Sequence, residues 1–406
     1  MNLETTKKIT PIGVIFVIYI SLVLTIKKSV ILYGGYVFLM GVVLTKLLFY
    51  DKSKLYIFKD CRRLFWFVAY SVLSLFWAYN KDYVFTQIPL LLACMAMTVI
   101  MSDYFVKQNN VELILWTIAI AGVSLALYVI LSYGGITRFY ESALQEQYSL
   151  EAQRMGADIT NVNVIGMQCG FATVILFYFA LIKKYKICYF VMLLPFLTSA
   201  ASGSRKALIL LIAGIVMVAY HHITNDEGRR KYLKVFVGFV ILLVGVMTVL
   251  SMDIMQTAIG RFQQSMSLFS GNTEAADGTS QLRLEMILTG LKRFWNEPIL
   301  GYGLANSRVV NRVTIGYEAY SHNDYIELIL NGGLIGFILY YGMIIRILKN
   351  YIAIMRTDND SELRISFYIL ILFLFTNFAA VTYYGSIITY VYFTLWISQS
   401  EIKRRN

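Results

Sequence analysis

The sequence predicts an all-α integral membrane protein of about 12 transmembrane helices. A large extracytoplasmic loop containing short helices is expected between spans nine and ten. Three observations predict this fold. Hydrophobic residues make up 58% of the chain and charged residues only 15%, well under the quarter usual in soluble proteins. Apolar runs of about 18 residues or more, long enough to cross a bilayer core, recur along the chain. Between the ninth and tenth runs lie the 69 far more polar residues of Asp253–Ser321. A loop that long is uncommon unless it carries function. The alternating segments of a membrane β-barrel do not occur.

In order, the spans are expected at residues 9–26, 30–50, 64–79, 84–101, 111–133, 159–182, 187–201, 206–222, 235–252, 323–346, 365–382 and 386–399. Those near 64–79, 187–201 and 386–399 are short, which fits little tilt or ends that reach the headgroups. The first run comes after Lys7 and Lys8 and lacks a small-residue cleavage site, so it reads as a retained helix and not a signal peptide. The chain therefore divides into residues 1–252 with spans one to nine, the loop 253–321, and residues 322–406 with spans ten to twelve and a cytoplasmic tail. No internal repeat is visible.

Charge sets the orientation. Of 36 Lys and Arg residues, 22 fall on the N-terminal side of the membrane and 13 on the other, with Lys46 near the end of a span; six of the 13 lie in the long loop, where charge counts little. Both termini are expected in the cytoplasm; only the turn at Lys27 and Lys28 runs against the rule. The net charge of +12 arises from this bias, so no nucleic-acid partner is expected. Cys94, Cys169 and Cys188 lie in apolar spans and Cys61 beside Arg62 and Arg63, with no disulfide or metal-ligand spacing.

The loop holds the densest chemistry. Gln281–Asn296 has apolar residues at Leu284, Ile287, Leu288, Leu291, Phe294 and Trp295, the spacing of an amphipathic helix, and Pro298 ends it. Too short and charged to span, it should lie along the membrane surface. Arg283 falls at the edge of the apolar stripe, where it faces a site at the lipid boundary or snorkels to water. Arg293 falls on the wet side. Ser270–Ser280 is polar and turn-rich, a mobile connector. The second long outer segment, 134–158, reads as a charged loop with Arg138, Glu141 and Arg154.

Ser321-His322-Asn323-Asp324 opens the tenth span. Ser321 and Asp324 fit a capping box, which makes His322 the first helical residue. A helix N-terminus attracts anions and keeps an imidazole neutral, ready to accept a proton. The alternative is an interfacial histidine without a role. Glu327, one turn beyond Asn323, is an ionisable group just inside the membrane, a functional candidate or the partner of an arginine. Gly332, Gly333 and Gly336 thin the same helix for close packing. His221 and His222 read as solvated on the inner face.

Two further corners map to the outer face. Ser202-Gly203-Ser204-Arg205 makes a tight turn that holds Arg205 at the interface, as a phosphate grip or a helix anchor. Arg154-Met155-Gly156 through Asn161-Val162-Asn163 precedes span six. Arg154, Arg205, Arg283 and His322 thus share one face, which suits chemistry on an anionic lipid headgroup. Few charges lie deep in the spans, which fits a transporter less well.

These residues resemble the O-antigen ligase and polymerase superfamily of bacterial envelope glycan enzymes. The resemblance rests on Arg283 in its amphipathic helix, then Pro298 to Gly303 (Pro-Ile-Leu-Gly-Tyr-Gly), His322 to Glu327 (His-Asn-Asp-Tyr-Ile-Glu) and Gly333 to Gly336 (Gly-Leu-Ile-Gly). The Ser202–Arg205 turn, and Arg154-x-Gly with Asn163, are also similar to family elements. The resemblance implies a glycosyltransferase of the bacterial cytoplasmic membrane with no metal or cofactor. Its substrate is implied to be an undecaprenyl-diphosphate-linked oligosaccharide at the outer face, and its acceptor a glycan or glycolipid. A chain-length regulator and a flippase are the implied protein partners. Arg205 and Arg283 would bind the diphosphate and His322 would deprotonate the acceptor. Arg154, Asn163, Arg293, Asn323 and Glu327 complete the expected substrate-binding set.

A polymerase of repeat units is the favoured expectation, with a ligase that transfers finished polymer as its alternative. A non-enzymatic transporter of the same lipids is a second alternative. A cytoplasmic nucleotide-sugar transferase has only Asp358-Asn359-Asp360 for support, and that motif reads as a solvated turn.

Overall fold

The computed structural model describes residues 10–26, 29–50, 54–145, 159, 161–224 and 278–405. Every regular element among them is a helix: α1 (Pro11–Thr25), α2 (Ser29–Thr45, continued by a π turn at Lys46–Tyr50), α3 (Lys59–Leu73), α4 (Lys81–Gln108), α5 (Glu112–Ser132), α6 (Ile136–Gln145), α7 (Val162–Leu181), α8 (Cys188–Val191), α9 (Leu193–Ala201), α10 (Arg205–Thr224), α11 (Gly278–Phe294), α12 (Ser307–Ile315), α13 (Asp324–Met355), α14 (Ser361–Thr376) and α15 (Ile387–Arg405). Helices stand at every expected span except 235–252, which lies outside the described residues together with Arg154 and most of 270–280. Among the described residues, six helices are long and apolar enough to cross a membrane. The chain is a multi-pass helical membrane protein. Val30, Val37 and Phe38 on α2 and Trp66 on α3 are exposed, as lipid-facing side chains are.

The described parts form two compact units. One takes in Val14–Leu32 and Leu115–Asp277. Its core joins Leu125 and Val129 of α5, Ile165 and Cys169 of α7, and Leu208 and Leu211 of α10. Phe139 of α6 enters this core, so the segment expected as a charged loop carries an amphipathic helix with one buried face. Trp116 stacks on Phe179 at 4.0 Å between ring centroids. His221 is buried, unlike the solvated histidine expected there, because the last turn of α10 turns it inward; His222 is exposed.

The other unit takes in Met1–Gly13, Tyr33–Ile114 and Gly278–Asn406. Aromatic residues and backbone carbonyls knit its helices. Trp396 Nε1 donates to the Ser366 carbonyl at 3.2 Å, and Thr98 Oγ1 to that of Tyr390 at 3.3 Å. One end of this bundle is ionic. Arg346 Nε lies 3.1 Å from Oδ1 of buried Asp60. Lys403 Nζ meets Asp358 at 2.8 Å and Asp360 at 2.6 Å. Asp358-Asn359-Asp360 is a partly exposed turn, as expected, and it also makes ion pairs. It clasps α15, and its Asp360 also caps α14 by accepting from Glu362 N at 2.8 Å. The Lys403 hydrogen bond holds the Asp358 carboxyl below the usual carboxylate value. All four cysteines are buried free thiols.

The opposite end of this unit is built around a break in α13. Gly333 has φ 57° and ψ −160°, so the helix is interrupted there instead of merely thinned. The interruption frees carbonyls before it and N–H groups after it. Tyr302 N donates to the Leu330 carbonyl at 2.8 Å and Gly303 N to that of Asn331 at 2.9 Å. Leu334 N donates to the Pro298 carbonyl at 2.9 Å and Ile335 N to that of Ile299 at 3.3 Å. The Pro298–Gly303 segment thus supplies the missing turn. Tyr70 OH adds bonds to the carbonyls of Leu300 and Gly332, at 2.8 and 3.0 Å. A Cβ on Gly301 or Gly333 would land on the other strand's backbone.

Gly333→Ala should therefore lower stability by on the order of 3 kcal/mol or more, combining a backbone conformation open to glycine with an overpacked backbone contact. Gly342→Ala, whose Cβ would meet open space, should be neutral or stabilising. Thermal unfolding of the detergent-purified variants checks both; equal melting temperatures would dismiss the break as a constraint.

Candidate functional site

The filled break fixes the position of the next stretch of chain, from Asn306 onward. Asn306, fully buried, closes the turn: its Oδ1 accepts from Asn80 N at 2.6 Å and its Nδ2 donates to the Asn80 carbonyl at 3.1 Å. That clasp ties the α3–α4 loop to the start of α12. Asn331 Oδ1, at the break, accepts from Ser307 N at 2.6 Å, and its Nδ2 donates to Tyr383 OH at 2.7 Å.

Glu327 is the centre of the cluster. It is fully buried, and five donors reach its carboxylate. Ser307 Oγ, Asn331 Nδ2 (3.2 Å) and Tyr384 OH (2.8 Å) donate to Oε1. Ser321 N and Ser321 Oγ, both at 2.7 Å, donate to Oε2. Hydroxyls and amides, not an arginine, balance this buried carboxylate. Glu327, expected as a substrate contact, forms in the structure a clamp on the loop carrying His322.

The start of α13 differs from the expected capping box. Asn323 is the N-cap: its Oδ1 accepts from Tyr325 N at 3.0 Å and Ile326 N at 3.1 Å. Ser321 does not cap; its N–H and hydroxyl both donate to Glu327. Asp324 N donates to the Asn377 carbonyl at 2.8 Å and Glu327 N to that of Asn323 at 2.9 Å. All four leading N–H groups of α13 are thus taken, and the helix N-terminus offers no donors to an anion. Asn323 Nδ2 also donates to the Phe378 carbonyl at 3.0 Å, so both ends of this expected substrate contact are occupied by protein.

His322 stands before the cap, outside the helix, with φ 56°. A non-glycine residue in that conformation is uncommon and strained, and such residues cluster at functional sites. Its ring lies 4.2 Å from that of Tyr320, and it is half-buried. Around it Ser321, Asn323, Asp324 and Glu327 are all engaged in structure. Asp324, for example, accepts from Tyr341 OH at 2.7 Å and from Tyr383 N at 3.2 Å.

Helix α11 packs through Met286, Gly290 and Phe294. Gly290 faces Ile326 and Leu330, and Phe294 joins Tyr302, Val310 and Leu330 in a small core. Arg283 is half-buried on this same face, since positions three, seven and eleven residues on share a side of a helix. The register carries the N-terminal half of α11 toward the start of α13. The expected single apolar stripe is in fact two: Leu284, Leu288, Leu291 and Trp295 are exposed on another face. Arg293 is exposed, and its carbonyl accepts from Tyr302 OH at 2.9 Å.

Arg308 is the residue that sequence reasoning missed. From the first turn of α12 its guanidinium lies over the rings of Tyr83 and Tyr320, at 5.9 and 5.7 Å. Nothing in the sequence separates it from Arg312 one turn later, which pairs with Glu318 at 3.3 Å on the surface.

The remaining expected residues belong to the other unit. Gly203 has φ 58° and makes the tight turn, and Arg205 is the first residue of α10, half-buried. Asn163 Oδ1 accepts from Ser204 Oγ at 3.1 Å, so two of the corners singled out in the sequence meet.

The class is a multi-pass helical membrane protein with a broken span, a strained histidine and an arginine one tyrosine ring away from it. The family model described as O-antigen ligase matches residues 190–341, which supports the resemblance of its motifs to the O-antigen ligase and polymerase superfamily. The match takes in Arg205, Arg283, Arg308, His322 and the break at Gly333. A comparison with curated proteins found no match.

Glu327→Gln turns one acceptor oxygen into a donor facing donors. It should cost about 1–3 kcal/mol, the penalty for unpaired buried polar groups. Glu285→Gln, on the exposed side of α11, should leave the melting temperature unchanged. Equal melting temperatures for the two would remove Glu327 from its structural role.

Proposed function

We propose that the protein is a membrane glycosyltransferase that acts on undecaprenyl-diphosphate-linked glycans at the outer face of the cytoplasmic membrane and polymerises O-antigen, capsular or exopolysaccharide repeat units. The observation that carries this reading is His322, held in a strained conformation by neighbours whose own polar groups are all occupied. Such a side chain is fixed for work on a ligand.

In this reading His322 accepts the proton of the acceptor hydroxyl. The oxygen then attacks the anomeric carbon of the donor sugar. The carbon–oxygen bond to the diphosphate breaks, and its electron pair leaves with undecaprenyl diphosphate. Arg283 meets the charge that develops on the leaving group, which is worth a few kcal/mol in a water-poor site. Arg205 keeps the diphosphate role that the resemblance gives it, on that basis alone. Arg154 and Asn163 stay in the wider binding set on the same basis. A chain-length regulator and a flippase belong with the polymerase reading.

The matched family's description favours one other reading, a ligase that transfers finished polymer to lipid A-core or another envelope acceptor. A gel of envelope polysaccharide from cells lacking the protein separates the two. Loss of the ladder with single repeat units still on their acceptor supports polymerase. Full-length polymer stranded on the lipid carrier supports ligase. Unchanged pools in both places would overturn either.

Residue roles have their own tests. His322→Ala should cut turnover by roughly 10²- to 10⁴-fold, the scale of a lost general base, while donor binding persists. Arg283→Lys should cost on the order of tenfold or more, because an ammonium lacks the planar double contact. Arg293→Ala should be nearly neutral. Full activity in a well-expressed His322→Ala protein would remove the base and restore a transport role.

A further inference from the structure

We propose that Arg308 binds an oxyanion, a phosphate or a carboxylate, of the acceptor, beside the hydroxyl that His322 deprotonates. The assignment of that anion to the acceptor rests on the glycosyltransferase reading. The anion site itself rests on the geometry.

A half-buried guanidinium needs compensation. Arg308 finds little of it in the protein. Its Nε is buried and has no hydrogen-bond acceptor. Among the described residues no carboxylate stands within ion-pair distance of it. Glu327, the buried acid of the cluster, is already answered by five neutral donors. One of them, Tyr384 OH, is within reach of Arg308, which therefore sits at the edge of the acid's network without neutralising it. The faces of Tyr83 and Tyr320 hold the cation in place without cancelling its charge.

The rings also say where the anion would lie. Tyr320 carries Arg308 on its ring and packs at 4.2 Å against the ring of His322. A ligand held by Arg308 is thus one tyrosine ring away from the imidazole. Tyrosine rings and an arginine fork suit a sugar that bears an acid, or a sugar next to a phosphate. On the donor side the diphosphate is already assigned to Arg283, so Arg308 falls to the second substrate.

The test uses the full-length protein in detergent and three probes: inorganic diphosphate, glucuronate and neutral glucose. Binding is measured calorimetrically for wild type, Arg308→Gln, Arg308→Lys and Arg283→Gln. One of the two anions should bind about tenfold or more weakly to Arg308→Gln, the scale of one lost charged hydrogen bond. Arg308→Lys should recover part of that loss, and Arg283→Gln should keep the Arg308-dependent binding. Diphosphate dependence names a lipid diphosphate as the ligand, and glucuronate dependence names an acidic sugar. Equal anion affinities in wild type, Arg308→Gln and Arg308→Lys would overturn the proposal, as would a loss equally large for glucose. If Arg308→Gln does not fold, Arg308→Lys carries the comparison. Arg308-dependent anion binding in a protein that transfers no glycan would sink the function reading and leave the anion site standing.

Discussion

A transmembrane helix cannot be opened without replacing the hydrogen bonds it loses, because hydrocarbon offers no donors or acceptors. The break of α13 at Gly333 imposes that demand on the rest of its unit. Pro298 to Gly303 meets it with four backbone bonds, and Tyr70 adds two more. The segment must come within backbone contact of the helix, which is why glycine stands at both Gly301 and Gly333. Two motifs far apart in sequence are therefore one structural element. Once that element is closed, Asn306 grips Asn80, Ser307 reaches Asn331 and Glu327, and α12 is delivered to the side of α13 with Arg308 on its first turn.

The same constraint sorts the polar residues by role. In the His322–Glu327 run, Asn323 caps, Asp324 gathers the Thr382–Tyr383 backbone, and Glu327 ties four segments together. Each is buried and saturated, as polar groups must be where water is scarce. His322 differs from them in its backbone. Its left-handed backbone lifts it out of the helix that begins two residues later, and the surrounding network holds it there. A motif of six residues thus uses most of its length to position one.

Much of this fold was legible because the bilayer makes helices long and apolar, and hydropathy reads both properties directly. At the candidate site, residue types were legible in the sequence but their bonding was not. Ser321 and Asn323 are both good caps in sequence; in the structure Asn323 caps while Ser321 donates to Glu327. Glycine serves close packing and helix breaks alike, so Gly333 could not be told from Gly336 before the loop was seen to fill the gap. The stripe of α11 merged two faces, one against Ile326 and Leu330 and one exposed, because both are apolar. Arg308 gave no signal, since its environment comes from Tyr83 and Tyr384, distant from it in the chain, and from Tyr320 beyond the end of its helix.

The way Glu327 is balanced has a consequence for charge. A buried acid beside a half-buried arginine would ordinarily form an ion pair, and the pair would present no net field. Here three hydroxyls, one amide side chain and one backbone N–H answer the acid instead. The carboxylate is stabilised by dipoles, and the cation one tyrosine away keeps its charge. Replacing those neutral donors with a direct Arg308–Glu327 pair would satisfy the same fold with fewer residues, but it would cancel the positive field beside His322. The clamp thus secures the loop while leaving that field available to an anionic ligand.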